Sequence, residues 1–202
     1  MSQVPASIYA EQTPNPAVMK FVANMMFAED SRYEFTTLEE AEASPIAAKL
    51  FRFPFVTNVF IMSNFISVTI NDMVTWDDVT LELREFIVEH LRAGEPVLSE
   101  DAIASEAEES TGENSTMTGH AEAQDDDETQ IINILDEYVK PGVEQDGGHI
   151  AFQKFEEGTV HVLLQGACSG CPSSTMTLKA GIEGLLKHQM PEKVKEVVAV
   201  NG

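Results

Sequence analysis

The sequence has few cysteines, few basic residues and no long apolar run. Only 2 of its 202 residues are Cys, and 12 Lys and Arg stand against 34 Asp and Glu, for a net charge of −22. Nucleic acids and anionic membranes bind clustered basic residues, which this chain lacks. No apolar run reaches the length of a membrane-spanning helix. We therefore expect neither a nucleic acid nor a membrane as a partner.

The N-terminal residues show no targeting segment. Residues 1–5 lack a basic region and a long apolar region, and the segment is not rich in arginine, so neither a secretory signal nor a transit peptide is visible. Two cysteines without an export signal favour metal binding or redox chemistry over a structural disulfide. These observations predict a reducing cytoplasm as the location.

Composition divides the chain into three parts. Residues 1–93 and 125–202 carry the apolar patterns of short strands and helices, whereas residues 94–124 hold 8 acidic residues and no basic one. Such a stretch is too polar to build a core and repels itself, so we assign no role to His120 within it. The sequence predicts an α+β protein, with two small α+β domains joined by a long acidic disordered linker.

The pattern in residues 1–93 predicts two hairpins and two helices. The motif TPNP at 13–16 predicts a turn between strands at 7–12 and 18–23. Ser44 and Pro45 suit the N-cap and first position of a helix. Alternating residues predict a hairpin of 56–62 with 65–70, and apolar residues at helical spacing predict a helix over 77–92.

Residues 125–202 are predicted to form a helix, a hairpin, a second helix and a last strand. The first helix starts at Asp125 and ends at Pro141-Gly142, and the motif DGG at 146–148 forms a tight turn. The hairpin pairs residues 149–155 with 159–165, and the second helix runs over 172–189 before a strand at 194–200. Core positions are expected on this second helix at Met176, Ile182, Leu185 and Leu186.

Both cysteines fall in the motif GACSGCPSS at 166–174, between the second hairpin strand and the helix that follows. Pro172 suits a first helical position, so Cys168 and Cys171 should lie in a tight loop at a helix N-terminus. Free backbone N–H groups and the helix dipole favour anions there, which predicts lowered thiol pKa values. Thiolates bind metals and attack disulfides, so we expect the chemistry of the protein at Cys168 and Cys171.

Three chemistries fit this spacing. A zinc site or an iron–sulfur cluster takes four ligands, so the two cysteines need either His149 and His161 or a second chain. Dithiol–disulfide exchange of the thioredoxin type also uses Cys-x-x-Cys between a strand and a helix, although it is typically preceded by a βαβ unit. Two thiols without a role are the third possibility, which their proximity disfavours.

The residues around the cysteines resemble a known family. The motifs DGG at 146–148, GACSGCPSS at 166–174 and TLKAGIE at 177–183 are similar in order and spacing to the C-terminal domain of NifU, found in Nfu-type iron–sulfur cluster carriers. The resemblance covers residues 128–200. It implies that Cys168 and Cys171 bind a [4Fe-4S] cluster, or alternatively a [2Fe-2S] cluster, shared between two subunits of a homodimer.

The first part of the chain resembles the Nfu N-terminal domain. The matching motifs include TPNP at 13–16, NFISVT at 64–69 and Trp76. This resemblance implies that residues 1–93 recognise partners and bind no metal. Together the resemblances imply a carrier that receives its cluster from an upstream assembly scaffold and delivers it to apo iron–sulfur proteins. Delivery by exchange of thiolate ligands requires no catalysis, so we expect no enzyme.

Overall fold

A computed structural model describes residues 6–28, 31–99, 120–168 and 172–201. The chain forms two compact units, Met1–Glu108 and Glu109–Gly202. Each unit combines helices with its own β-sheet, so the predicted α+β class is confirmed. Of the predicted linker, residues 100–119 lie outside the described part of the chain.

The first unit is built on a sheet of five antiparallel strands in the order β1-β2-β5-β4-β3. The strands are β1 Ile8–Gln12, β2 Val18–Ala23, β3 Arg32–Phe35, β4 Val56–Met62 and β5 Phe65–Ile70. Both predicted hairpins are confirmed. The sequence did not predict β3, because four residues alternate too briefly to stand out from a loop.

Two helices cover one face of this sheet, α1 Pro45–Leu50 and α2 Trp76–Arg92. The Ser44 hydroxyl accepts the N–H of Ala47 at 3.2 Å, as an N-cap does. At the start of α2, the hydroxyl and N–H of Thr75 both donate to the Asp78 carboxylate, at 2.7 and 3.3 Å. The helices bury their apolar faces in the core of the unit, with side chains that include Ile46, Leu50, Leu83 and Ile87.

The second unit has a three-stranded sheet in the order β6-β7-β8. The strands are β6 Gly148–Glu156, β7 Thr159–Gly166 and β8 Glu196–Asn201. Strands β6 and β7 form the predicted antiparallel hairpin, whereas β8 pairs in parallel with β7. No helix within the described residues is long and apolar enough to cross a membrane.

The helical segment before this sheet is longer than predicted. It consists of α3 Asp126–Ile134, a wider π-type turn Leu135–Val139, and α4 Lys140–Gln145. The prediction that Pro141-Gly142 ends the helix is wrong. Pro141 instead lies in the first turn of α4, directly after the π-type turn, so the helical segment continues past it.

The last helix of the chain is α5, Pro172–Gln189, which packs against the sheet of the second unit. Ile182 and Leu186 are buried as predicted, together with Met190. Ile182 and Leu186 are four residues apart and form one stripe of α5, and Met190 follows directly after the helix. The predicted core position of Met176 is wrong, because this side chain lies off that stripe and is 71% exposed.

Packed structure extends into both ends of the predicted linker. Leu98 is buried in the core of the first unit. His120 is buried in the second unit, where its Nδ1 accepts the N–H of Phe152 at 2.6 Å and its Nε2 lies 3.0 Å from the Asp136 carboxylate. Because Nδ1 accepts, Nε2 carries the proton and donates to Asp136. His120 therefore fastens the chain to the edge of β6, a role that the sequence did not predict.

Candidate functional site

The candidate site lies where β7 ends and the chain turns towards α5. Gly148, the first residue of β6, pairs with Gly166, the last residue of β7. Gly147 and Gly166 have positive φ angles of 80° and 65°, which glycine adopts without the strain that a Cβ causes. The N–H of Ala167 donates to the carbonyl of Gly147 at 3.2 Å. The DGG turn and the cysteine motif are therefore hydrogen-bonded neighbours.

Gly148 also leaves the space that the Cys168 side chain occupies. A Cβ on Gly148 would lie 2.6 Å from Cys168 Sγ, 2.9 Å from the carbonyl oxygen of Gln165 and 3.1 Å from Cys168 Cβ. Real Cβ atoms essentially never show contacts below 3.0 Å, so the first two of these contacts would force Cys168 Sγ or the Gln165 carbonyl to move. The Cys168 thiol therefore packs directly against the backbone of Gly148. A side chain at this second glycine of the DGG motif would clash with the thiol.

The pKa of the Cys168 thiol is raised, whereas the sequence predicted a lowered value. Cys168 is only 8% exposed and packs with the apolar core of the second unit. Burial, and to a lesser extent the negative charge of Asp146, raise the pKa of Cys168 to about 12. The predicted lowering is wrong for this thiol, because it lies against the sheet four residues before Pro172, where α5 begins. A metal ion bound here must displace a proton.

One hydrogen bond ties Cys168 to the helix that follows. The hydroxyl of Thr175, in the first turn of α5, donates to the carbonyl oxygen of Cys168 at 3.2 Å. The sequence analysis missed Thr175, whose only signal was a position in the first helical turn, where Thr and Ser are common. Residues 169–171 lie outside the described part of the chain, so the prediction for Cys171 stays a prediction.

The two histidines considered as zinc ligands lie in different surroundings. His161 stands five residues before the end of β7, about 16 Å along the strand from the cysteine loop. It lies near the hairpin turn beside Glu156, Glu157 and Thr159. His149 is buried on β6, with Nδ1 4.0 Å from a carboxylate oxygen of Glu144. The geometry therefore does not bring His161 to Cys168.

The described residues also contain no ready-made metal site from one chain. Within residues 6–28, 31–99, 120–168 and 172–201, no three His, Cys, Asp or Glu side chains are grouped so that they could hold a metal ion. Any metal site that includes Cys168 would therefore need ligands from outside the described residues of this chain, such as Cys171, or from a second chain.

Two family models match the chain. "Scaffold protein Nfu/NifU N terminal" matches residues 8–94. "NifU-like domain" matches residues 131–198, which include both cysteines and the DGG turn. The two matches fall one in each compact unit, in the order that the resemblance implied.

Curated relatives match over most of the chain. The human "NFU1 iron-sulfur cluster scaffold homolog, mitochondrial" is 34% identical over 188 residues, which are 92% of this chain and 68% of that protein. "NifU-like protein 4, mitochondrial" of Arabidopsis thaliana is 33% identical over 189 residues, 92% of this chain and 63% of that protein. The chain thus spans about two thirds of the length of these relatives. A solution NMR structure of a NifU-like protein from Saccharomyces cerevisiae is 24% identical, with a TM-score of 0.44 over 50% of this chain and 91% of that one.

The names of these relatives correct one prediction. The human, Drosophila willistoni and Arabidopsis thaliana proteins are all named mitochondrial. They point to mitochondria, so the predicted cytoplasmic location is contradicted. That prediction depended on the absence of a visible targeting segment, which is a weak signal because it uses only the first few residues.

Proposed function

Because the chain belongs to the Nfu family of iron–sulfur cluster scaffold proteins, we propose that it binds a [4Fe-4S] cluster through Cys168 and Cys171 and passes it to apo-proteins. The observation that carries this proposal is the position of Cys168. Its thiol packs against the backbone of Gly148, and Cys168 stands three residues before Cys171 in the sequence. Thiolates are the ligands that hold iron–sulfur clusters in most proteins.

The number of ligands supports a cluster shared between two chains. A [4Fe-4S] cluster takes four thiolates, and this chain has only two cysteines. One subunit therefore supplies half of the coordination sphere, and a second copy supplies the other half. Met176, which is 71% exposed on α5 and follows Cys171 by five residues, is an apolar side chain that a second copy would cover.

The cluster is cargo, and the cysteines hold it until an acceptor replaces them. In each exchange step, a bond between iron and Cys168 or Cys171 breaks and a bond between iron and an acceptor thiolate forms. The proton of the acceptor thiol passes to the released cysteine. No electron is transferred and no substrate is altered, so the proposed role is that of a carrier, not of an enzyme. Upstream, an assembly scaffold would supply the cluster by the same exchange.

We assign different tasks to the two parts of the chain. The cargo belongs to residues 125–202, and recognition of partners belongs to residues 1–93. Residues 94–124 lie between them in the chain, and of these Leu98 packs into the first unit and His120 into the second. The separate family matches at 8–94 and 131–198 support this division.

Anaerobic reconstitution with iron and sulfide tests the proposal. We expect a brown protein with about four iron ions per pair of chains, as a shared [4Fe-4S] cluster requires. It should run as a dimer in size-exclusion chromatography, and it should return to the cluster-free state when an apo-acceptor is added. Two irons per pair and the corresponding spectrum would instead indicate a [2Fe-2S] cluster. The variants Cys168→Ala and Cys171→Ala should each lose the iron while keeping the far-UV circular dichroism of the parent.

Three results would contradict parts of the proposal. Iron binding by the cysteine variants equal to that of the parent would refute the site. A monomer with a full cluster would refute the sharing of ligands. Efficient reduction of insulin by the metal-free protein would favour the thioredoxin-like alternative, in which Cys168 and Cys171 cycle between dithiol and disulfide.

A further inference from the structure

The first unit has an open groove along α2, with a volume of about 440 Å³. Its floor is apolar. The rings of Phe53 and Phe86 meet edge to face, with centroids 5.3 Å apart, and both side chains are partly exposed. Leu81 also lines the groove and is 61% exposed. Exposed apolar and aromatic side chains that line one groove are typical of a surface that a partner covers.

One wall of this groove is acidic. Asp78, Glu82, Glu85 and Glu89 line it. Their spacing of four, three and four residues keeps them on one side of α2, where like charges destabilise a helix by about 0.2–0.5 kcal/mol per pair. Asp78 is used in the cap with Thr75. Among the described residues, none of the three glutamates takes part in an ion pair or a side-chain hydrogen bond.

The charge of the chain shows what can occupy this groove. A second copy is a poor occupant, because it has the same net charge of −22 and would bring few unpaired cations. Seven lysines of the described residues already face carboxylates within ion-pair distance: Lys20, Lys49, Lys140, Lys154, Lys179, Lys187 and Lys193. The linker at 94–124 cannot be the occupant either, because it has no basic residue. The occupant must therefore be basic and come from another protein.

We propose that this groove binds a basic amphipathic helix of a partner protein. Lys or Arg side chains of that helix pair with Glu82, Glu85 and Glu89, and its apolar side chains lie against Leu81 and the Phe53–Phe86 pair. Glu82 and Glu89 are seven positions apart, about 10 Å along α2. A helix packed alongside α2 can place basic residues at the same spacing, because its rise per residue is the same. The proposal rests on the assignment of partner recognition to residues 1–93 and locates it on one surface. It requires no cluster, so its test is independent of the cluster site.

The test uses the full, cluster-free chain and a model peptide. The probe is a helical peptide of about 15 residues, long enough to form a helix, with Lys on one face and Leu on the other. One control peptide has Glu in place of Lys, and another has Ser in place of Leu. With isotope-labelled protein, we expect the first peptide to shift the amide signals of Leu81, Glu82, Glu85 and Glu89. The glutamate peptide should not bind, and the serine peptide should bind more weakly.

Matched variants distinguish binding in this groove from nonspecific attraction of the basic peptide to an acidic protein. Glu82→Gln, Glu85→Gln and Glu89→Gln combined should weaken binding about tenfold, since each exposed pair contributes about 0.5 kcal/mol. The control combines substitutions at three exposed acidic residues elsewhere in the first unit, namely Glu39→Gln, Glu42→Gln and Asp72→Asn. It removes the same charge and should leave the affinity almost unchanged. Leu81→Ser should weaken binding without changing the charge.

Four outcomes would overturn the proposal. Equal weakening in the two triple variants would indicate attraction by net charge alone. If only amide signals outside α2 shifted, the peptide would bind elsewhere. If the peptide did not bind at all, the proposed site would be refuted. Self-association of the cluster-free chain that Leu81→Ser abolishes would identify a second copy as the occupant.

Discussion

Gly148→Ala tests the packing that holds the candidate ligand Cys168. The new Cβ would lie 2.6 Å from Cys168 Sγ and 2.9 Å from the Gln165 carbonyl oxygen. Ordinary contacts require about 3.5–4.0 Å, so the sulfur must move by about 1 Å. The carbonyl belongs to the β6–β7 ladder and cannot move freely. Overpacking of this kind costs about 1–3 kcal/mol. We therefore expect Gly148→Ala to destabilise the second unit by that amount and to reduce its loading with iron.

A matched substitution in the same unit has the opposite expected sign. Gly184 is an exposed residue of α5, and a Cβ there would have no neighbour within 4 Å. Gly184→Ala should stabilise the helix by about 1 kcal/mol, because alanine is the better helix former. Iron loading of this variant should equal that of the parent.

Urea unfolding measured by two signals provides the assay. The chain has a single tryptophan, Trp76, which belongs to the first unit, so its fluorescence reports that unit. Far-UV circular dichroism reports both. We expect Gly148→Ala to shift the dichroism transition to lower urea while the Trp76 transition stays in place. Unfolding and iron loading equal to those of the parent would refute the close contact of Cys168 with Gly148.

Two further predictions concern His120 and Asp136. His120→Ala leaves the buried N–H of Phe152 without its acceptor and should destabilise the second unit by about 1–3 kcal/mol by the same assay, whereas His188→Ala, at an exposed position, should be neutral. An equal effect of the two would contradict the role of His120. Burial raises the pKa of Asp136. The hydrogen bond from His120 and the charge of Lys140 lower it by more than burial raises it, so the net pKa is below the ordinary value. Its contribution to stability is therefore present above about pH 4, the pKa of an unfolded Asp, and is lost as the pH falls through the lower folded pKa. Asp136→Asn should flatten the acid side of the stability profile, and an unchanged profile would contradict this assignment.

Much of the local structure could be predicted because its causes are local. The alternation of residues 159–165 sets which side chains share a face of β7, and Ser44-Pro45 caps a helix through atoms three residues apart. The exceptions are also instructive. Pro141 can interrupt a helix or open one, and the sequence does not distinguish these roles without knowing that a π-type turn precedes it.

The candidate site was only partly predictable. The motif located Cys168 in a loop between strand and helix, and the DGG turn was recognised as tight. The pKa of the thiol was not predictable, because it depends on burial in the core and on Asp146, which lies 22 residues away in sequence. A helix N-terminus lowers a thiol pKa only for a sulfur close to free N–H groups, and Cys168 lies back against the sheet.

The sequence by itself determined most of the helices and strands, the α+β class, the family and the pair of cysteines, since these follow from residue patterns and motifs within short windows. It missed β3 and ended the helix before β6 too early. Only the tertiary structure decided which distant residues meet. It paired β8 in parallel with β7, brought His120 to Phe152, and set Gly148 beneath Cys168. The physical reason is that packing and long-range pairing select among many compact arrangements, and the propensity of a single segment carries no information about its partner.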